Sequence, residues 1–119
     1  MSLNMVLGAS EKPSRYSNKA MAALQAHGHK VVAVGKQRGE AHGIDIQTDW
    51  PKSNTVDTLT IYLNPFNQKP LYDKILELKP RRIIFNPGSE NTFLLEKAEK
   101  AGIQCTPACT LVLLSKGDY

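Results

Sequence analysis

The residues best placed to do chemistry open the chain, in the run Met5-Val6-Leu7-Gly8-Ala9-Ser10-Glu11-Lys12-Pro13-Ser14-Arg15-Tyr16-Ser17. An apolar stretch stops at a glycine, crosses a polar turn carrying an arginine, and enters an Ala-rich helical pattern. A strand feeding a glycine turn and then a helix is how a sheet protein builds an anion cradle. Small residues let the backbone come close, and the free N–H groups of the helix start point at the anion. Arg15 adds a planar guanidinium suited to phosphate oxygens. The turn holds only Gly8, where the full dinucleotide fingerprint has three glycines.

Three more sites carry residues of this kind: Gly35-Lys36, Tyr62-Leu63-Asn64-Pro65 and Asn86-Pro87-Gly88. Glycine, proline and asparagine are also what ordinary turns use, so each alone reads more readily as a connection than as a site. In an open parallel sheet, however, such turns fall at the carboxyl ends of strands, where ligands bind. At least Gly8-Ala9-Ser10, Gly35-Lys36 and Tyr62-Leu63-Asn64-Pro65 are expected to converge on one edge. The segment Gly35-Lys36-Gln37-Arg38 discriminates further. An NAD site usually places a carboxylate there for the adenosine ribose, whereas this chain has no acid before Glu40. Lys36 and Arg38 suit a phosphate on that ribose, either the 2′-phosphate of NADP or the 3′-phosphate of coenzyme A. Two basic residues on a solvated loop are the competing interpretation.

Catalytic constellations are poor, and no catalytic or metal-ligating residue is assigned. His27 and His29 flank Gly28 at a helix-to-strand turn, and His42 lies in a polar loop. Cys105 and Cys109 are four apart with no histidine nearby, a weak zinc pattern. There is neither a nucleophile elbow nor a Walker lysine. Glu90 precedes a helix, where a carboxylate serves the dipole. Cys109 is read as small apolar packing under the last element, with a reactive thiol at a helix start as the alternative.

These residues need a scaffold, and the hydrophobic pattern supplies one. Apolar strands are expected at Leu3 to Leu7, Val31 to Val34, Thr58 to Leu63, Arg82 to Phe85 and Ile103 to Thr106, with a small extra strand admissible at Ile44-Asp45-Ile46. Helical spacing appears in Ala20, Met21 and Leu24, in Leu71, Ile75 and Leu78 after a start near Lys69, and in Leu94, Leu95, Ala98 and Ala101. Thr110 to Leu114 fits a closing helix or an edge strand. Alternation of this kind implies an α/β, Rossmann-like three-layer sandwich: a mostly parallel five-stranded sheet with helices on both faces. The 119 residues are read as one domain, residues 1–119. Apolar residues at 41% and charged ones at 22% are ordinary for a soluble globule. The net charge of +4 is spread along the chain, which favours a solvated surface over nucleic acid. No membrane span or signal peptide is read, and two free cysteines fit a reducing, cytoplasmic setting.

Taken together, the motifs resemble those of the stand-alone CoA-binding domain proteins, sometimes called YccU-like. The match runs through Gly8-Ala9-Ser10-x-x-Pro13-x-Arg15-Tyr16-Ser17, Leu24-x-x-x-Gly28-His29-x-Val31, Val56-Asp57 and Tyr62-Leu63-Asn64-Pro65. It continues through Ile84-Phe85-Asn86-Pro87-Gly88-x-Glu90-Asn91 and Ala101-Gly102-Ile103 to Ala108-Cys109-Thr110-Leu111-Val112. It departs from the family at Gly35-Lys36, where relatives often carry Asn-Pro. The family is similar to the CoA-binding module of the succinyl-CoA synthetase alpha subunit. The resemblance implies a Rossmann-like fold with coenzyme A or an acyl-CoA lying across the strand ends. Gly8, Ser10 and Arg15 would hold phosphates, Lys36 would lie near the ribose, and Tyr62, Leu63 and Asn64 near adenine and pyrophosphate. Ala9, Pro13, Tyr16, Ser17, Gly35, Pro65, Asn86, Pro87 and Gly88 complete the expected site. The expected role is a small CoA-binding carrier, sensor or regulatory module, with a protein partner left open. The alternatives are an NADP-type module and an interaction protein that kept the fold without the ligand.

Overall fold

The short apolar runs expected as strands do become strands, in a hydrogen-bonded ladder that satisfies their backbone while both faces are buried. In the computed structural model, which describes residues 3–119, β1 (Leu3–Leu7) is flanked in parallel by β2 (Lys30–Val34) and β5 (Val56–Ile61). Outside β5 lie β6 (Arg82–Phe85) and then β7 (Gln104–Pro107), both parallel. Outside β2 lies β4 (Ile44–Gln47), parallel to it, and then β3 (Gly39–Ala41), antiparallel to β4. The sheet order is β3-β4-β2-β1-β5-β6-β7.

The sheet therefore has seven strands, where the hydrophobic pattern predicts five. The two additions form a hairpin in the polar segment after β2: β4 is the small strand admissible at Ile44-Asp45-Ile46, and β3 is the one the pattern did not show. The hairpin's turn residues, His42 and Gly43, have φ of 57° and 76°, the left-handed pair that a two-residue turn needs to match strand twist. The strand expected at Thr58 to Leu63 begins at Val56 and ends at Ile61, so Tyr62 and Leu63 leave the ladder and enter the loop beyond it. The fifth expected strand is β7, shifted by one residue.

Residues alternate between faces along each strand, and this divides the core in two. Met5, Leu7, Leu59, Ile61, Ile83 and Phe85 pack with Ile75, Leu78, Leu94 and Ala98 on one face. Val6 and Ala33 pack with Met21, Leu24 and Leu114 on the other. The first face is covered by α3 (Tyr72–Leu78) and α4 (Thr92–Lys100), with the short α2 (Pro65–Gln68) leading into α3, and the second by α1 (Tyr16–Ala26) and α5 (Thr110–Lys116). Thr110 to Leu114 is thus helical. The helix expected from Lys69 starts earlier: Asn64 accepts from Asn67 N at 2.9 Å and caps α2, and Pro70 sits in a 3-10 turn between α2 and α3. Gly102, at φ 87°, ends α4 as anticipated, with Ile103 N donating to Ala98 O.

Candidate functional site

The chain runs from β1 to β2 and β4 on one side, then returns to place β5 on the other side of β1. The strand order reverses there, and the crevice beyond the carboxyl ends of β1 and β5 is the place an open α/β sheet offers a ligand. Gly8 lies at that point. Its N–H and that of Ala9 both donate to Val34 O, at 2.9 and 3.0 Å, and Tyr62 N donates to Leu7 O at 2.9 Å. The ends of β1, β2 and β5 are thereby stitched into one surface.

Two glycines make this approach feasible. Gly8 has φ of 92°, and a Cβ there would lie 3.2 Å from the Tyr62 carbonyl and 3.1 Å from Leu63 Cδ2. Gly35 needs no special dihedral, but a Cβ on it would come within 2.7 Å of Ala9 O. That is closer than real Cβ contacts come, so the strand ends touch at a spacing only glycine permits.

Beyond Gly8 the turn is braced from beneath. Lys12 N donates to Ser10 Oγ at 3.1 Å, and Asn18 Nδ2, buried in the first turns of α1, donates to Ser10 O at 2.9 Å. His42 Nε2 in turn donates to Asn18 Oδ1 at 2.7 Å, and the Glu11 carboxylate accepts from Glu40 N at 3.0 Å. The β3–β4 hairpin therefore serves as a buttress for the turn. Helix α1 starts after Arg15 with no side chain capping its first N–H groups and no acid in its first turn. Those orphan donors and the exposed Arg15 give the helix start a positive face.

The other predicted residues divide by orientation. Pro13, Tyr16, Lys36, Asn64, Pro65, Pro87 and Gly88 are exposed around the crevice, and Ser17 is buried under it. Lys36 has no ion pair among the described residues, whereas Arg38 lies 3.8 Å from Asp49. The Tyr62 ring turns inward against the α1 side of the core, its hydroxyl buried without a hydrogen-bond partner among the described residues. Burial pushes that phenol up to about 12. Asn86 also faces inward: Nδ2 donates to Thr60 Oγ1 and Ile61 O at 2.6 and 2.9 Å, and Oδ1 accepts from Thr110 N at 2.9 Å. Cys109 is half-buried at the N-cap of α5. Among the described residues, no three His, Cys, Asp or Glu side chains are grouped so as to hold a metal ion.

Sequence reasoning missed the residues that hold the loops. Gln68, fully buried, donates to both Leu63 O and Ser89 O at 2.8 Å, tying the loop after β5 to the loop after β6. Asn91 donates to Gln68 Oε1 and to the Tyr72 hydroxyl, and accepts from Leu94 N as the cap of α4. Asn91 had a readable signal, an asparagine one position before a helical pattern. Gln68 and Asn18 had none.

A family model described as "CoA binding domain" matches residues 4–115. No curated protein matches the chain. Among solved structures, the chain is 44% identical to an uncharacterized protein, with a TM-score of 0.95, covering 100% of this chain and 98% of that one. A Thermus thermophilus protein aligns at 23% identity and a TM-score of 0.86 over 99% of this chain and 90% of its own. The dinucleotide-forming acetyl-coenzyme A synthetase 1 of Candidatus Korarchaeum cryptofilum aligns at 20% identity and a TM-score of 0.73. It covers 90% of this chain but only 25% of its own length, so the likeness is one of fold.

Proposed function

This chain belongs to the CoA-binding domain family, and from that premise we propose that it binds coenzyme A in the crevice at the ends of β1, β2 and β5. It acts there as a carrier, sensor or regulatory module with no catalytic group of its own. The observation that carries the reading is the close approach at Gly8 and Gly35, where a side chain would strike the neighbouring strand-end backbone and force these ends apart, set beside the uncapped start of α1. Backbone N–H groups and Arg15 would receive the pyrophosphate. Lys36, exposed at the end of β2, would pair with the 3′-phosphate. When bound, the coenzyme supplies a thiol that carries acyl groups as thioesters; the protein's part is to hold and orient it.

Thermal shift and calorimetry with coenzyme A, dephospho-CoA, NADP and NAD test this directly. A ligand at about 100 times its Kd adds about 2.7 kcal/mol of apparent stability. Coenzyme A should stabilise most, and dephospho-CoA should bind more weakly. Equal affinity for those two would remove the role of Lys36. Preference for NADP would favour the other phosphate on the ribose, and preference for NAD would sink the assignment.

A further inference from the structure

Two of the largest exposed apolar side chains, Phe66 at 77% and Phe93 at 54% exposure, stand together at the starts of α2 and α4. With Pro65, Lys69, Tyr72 and Asn91 they line an open, solvent-facing cavity of about 760 Å³. Its walls are fixed from behind. The Tyr72 and Phe93 rings stack with centroids 5.4 Å apart, and Asn91 holds the Tyr72 hydroxyl at 2.9 Å. Gln68 locks the same loops to the ends of β5 and β6. An apolar recess of this kind, open to solvent but fixed in shape, offers a surface along which an apolar group can lie.

Its position gives the occupant. If the ribose phosphate lies at Lys36 by β2 and the pyrophosphate lies at Gly8 and α1, the ligand crosses the sheet edge from β2 through β1. Its free end then points toward the loops after β5 and β6, and Pro65, which follows the loop after β5, lines the cavity. We infer that the Phe66–Phe93 cavity receives the apolar acyl chain of a CoA thioester, so that the protein prefers acyl-CoA to the free coenzyme. This rests on the coenzyme reading above.

The test compares coenzyme A, acetyl-CoA and octanoyl-CoA by calorimetry on the wild-type chain, Phe66→Ala and Phe93→Ala. Octanoyl-CoA should bind at least about tenfold tighter than coenzyme A, since a buried methylene alone can supply that factor. Either substitution should cut the advantage severalfold while leaving affinity for free coenzyme A within about twofold. Binding of coenzyme A with no acyl preference, or a preference that survives both substitutions, overturns this inference alone. Failure to bind coenzyme A overturns the reading beneath it as well. Light scattering adds one more refuting outcome: a dimer that Phe93→Ala dissociates, without acyl preference, would assign the patch to a second copy of the chain.

Discussion

Asn86 separates a residue that touches ligand from one that holds the fold, and truncating it to alanine makes the distinction measurable. Its amide is 1% exposed and makes three hydrogen bonds that join β5, β6 and the start of α5. After Asn86→Ala, Thr60 Oγ1 keeps its partner, Thr110 Oγ1, at 2.8 Å. Thr110 N and Ile61 O lose the Asn86 amide as partner inside the core. Each buried group stranded in this way costs about 1–3 kcal/mol, so the variant should lose between about 2 and 6 kcal/mol. That is a large share of the roughly 5–15 kcal/mol that stabilises a typical domain. Urea denaturation followed by circular dichroism should show a lower midpoint with an unchanged slope. Asn86→Asp keeps an acceptor for Thr110 N but turns an anionic oxygen toward Thr60 Oγ1 and Ile61 O. Its carboxyl should titrate above the unfolded value of about 4. The unfolded chain then releases its proton first, so this variant loses stability as pH rises from about 4. An alanine variant with the wild-type midpoint would refute the reasoning. One that keeps its stability yet loses coenzyme binding would make Asn86 a ligand contact.

Arg15→Ala should weaken coenzyme A binding about ten- to a hundredfold, the worth of a charged hydrogen bond of roughly 1.5–3 kcal/mol, with little change in apo Tm; the reverse pattern in calorimetry and melting would make Arg15 structural. Burial, with Glu99 adding to it, pushes the Cys105 thiol up to about 11, so Cys105 should resist iodoacetamide at pH 8 until the chain is unfolded, as peptide mass spectrometry will report. Tyr62→Phe removes a buried hydroxyl without a partner among the described residues and should raise stability by about 1 kcal/mol. Because the unfolded phenol ionises near 10 and the folded one near 12, the variant should also flatten a loss of stability that the parent shows as pH rises through that interval. The Arg81 guanidinium, 2.7 Å from Asp57, holds that carboxyl below its usual range. Its contribution is present above the unfolded pKa and lost as pH falls through the folded one, and Asp57→Asn should shrink the acid-side decline by less than about 1 kcal/mol for so exposed a pair.

The parts legible in the sequence were those with a strong physical imprint. Strands β1, β2, β5 and β6 are buried deeply enough to demand apolar runs, and the turns at Gly8 and Gly88 need positive φ. The hairpin of β3 and β4 left a fainter mark, because only Ile46 of its strands is buried and its one turn signal was His42-Gly43. The early start of α2 was hidden by Pro65 and Phe66, which face out and read as a loop. In the candidate site, the glycines and Arg15 stood out because their residue types suit a close backbone approach and an anion. Asn18 and Gln68 were not, since a polar residue in a helical pattern reads as a solvated one. Only the fold reveals that Asn18 supports a turn eight residues away and Gln68 a loop twenty-one residues away. Tyr62 and Asn86 were visible as strand-end residues, but which way their side chains turn depends on packing from α1 and α5.

The two outermost strands carry a consequence for assembly. On one side β3 has three residues, Gly39, Glu40 and Ala41; on the other β7 has four and ends at Pro107. A short border holding a charge, and one whose last residue has no N–H to give, are poor templates for another chain's backbone. Growth of the sheet from one molecule into the next is thereby discouraged at both borders. Any association of copies therefore has to rest on side-chain contacts rather than on a shared backbone ladder.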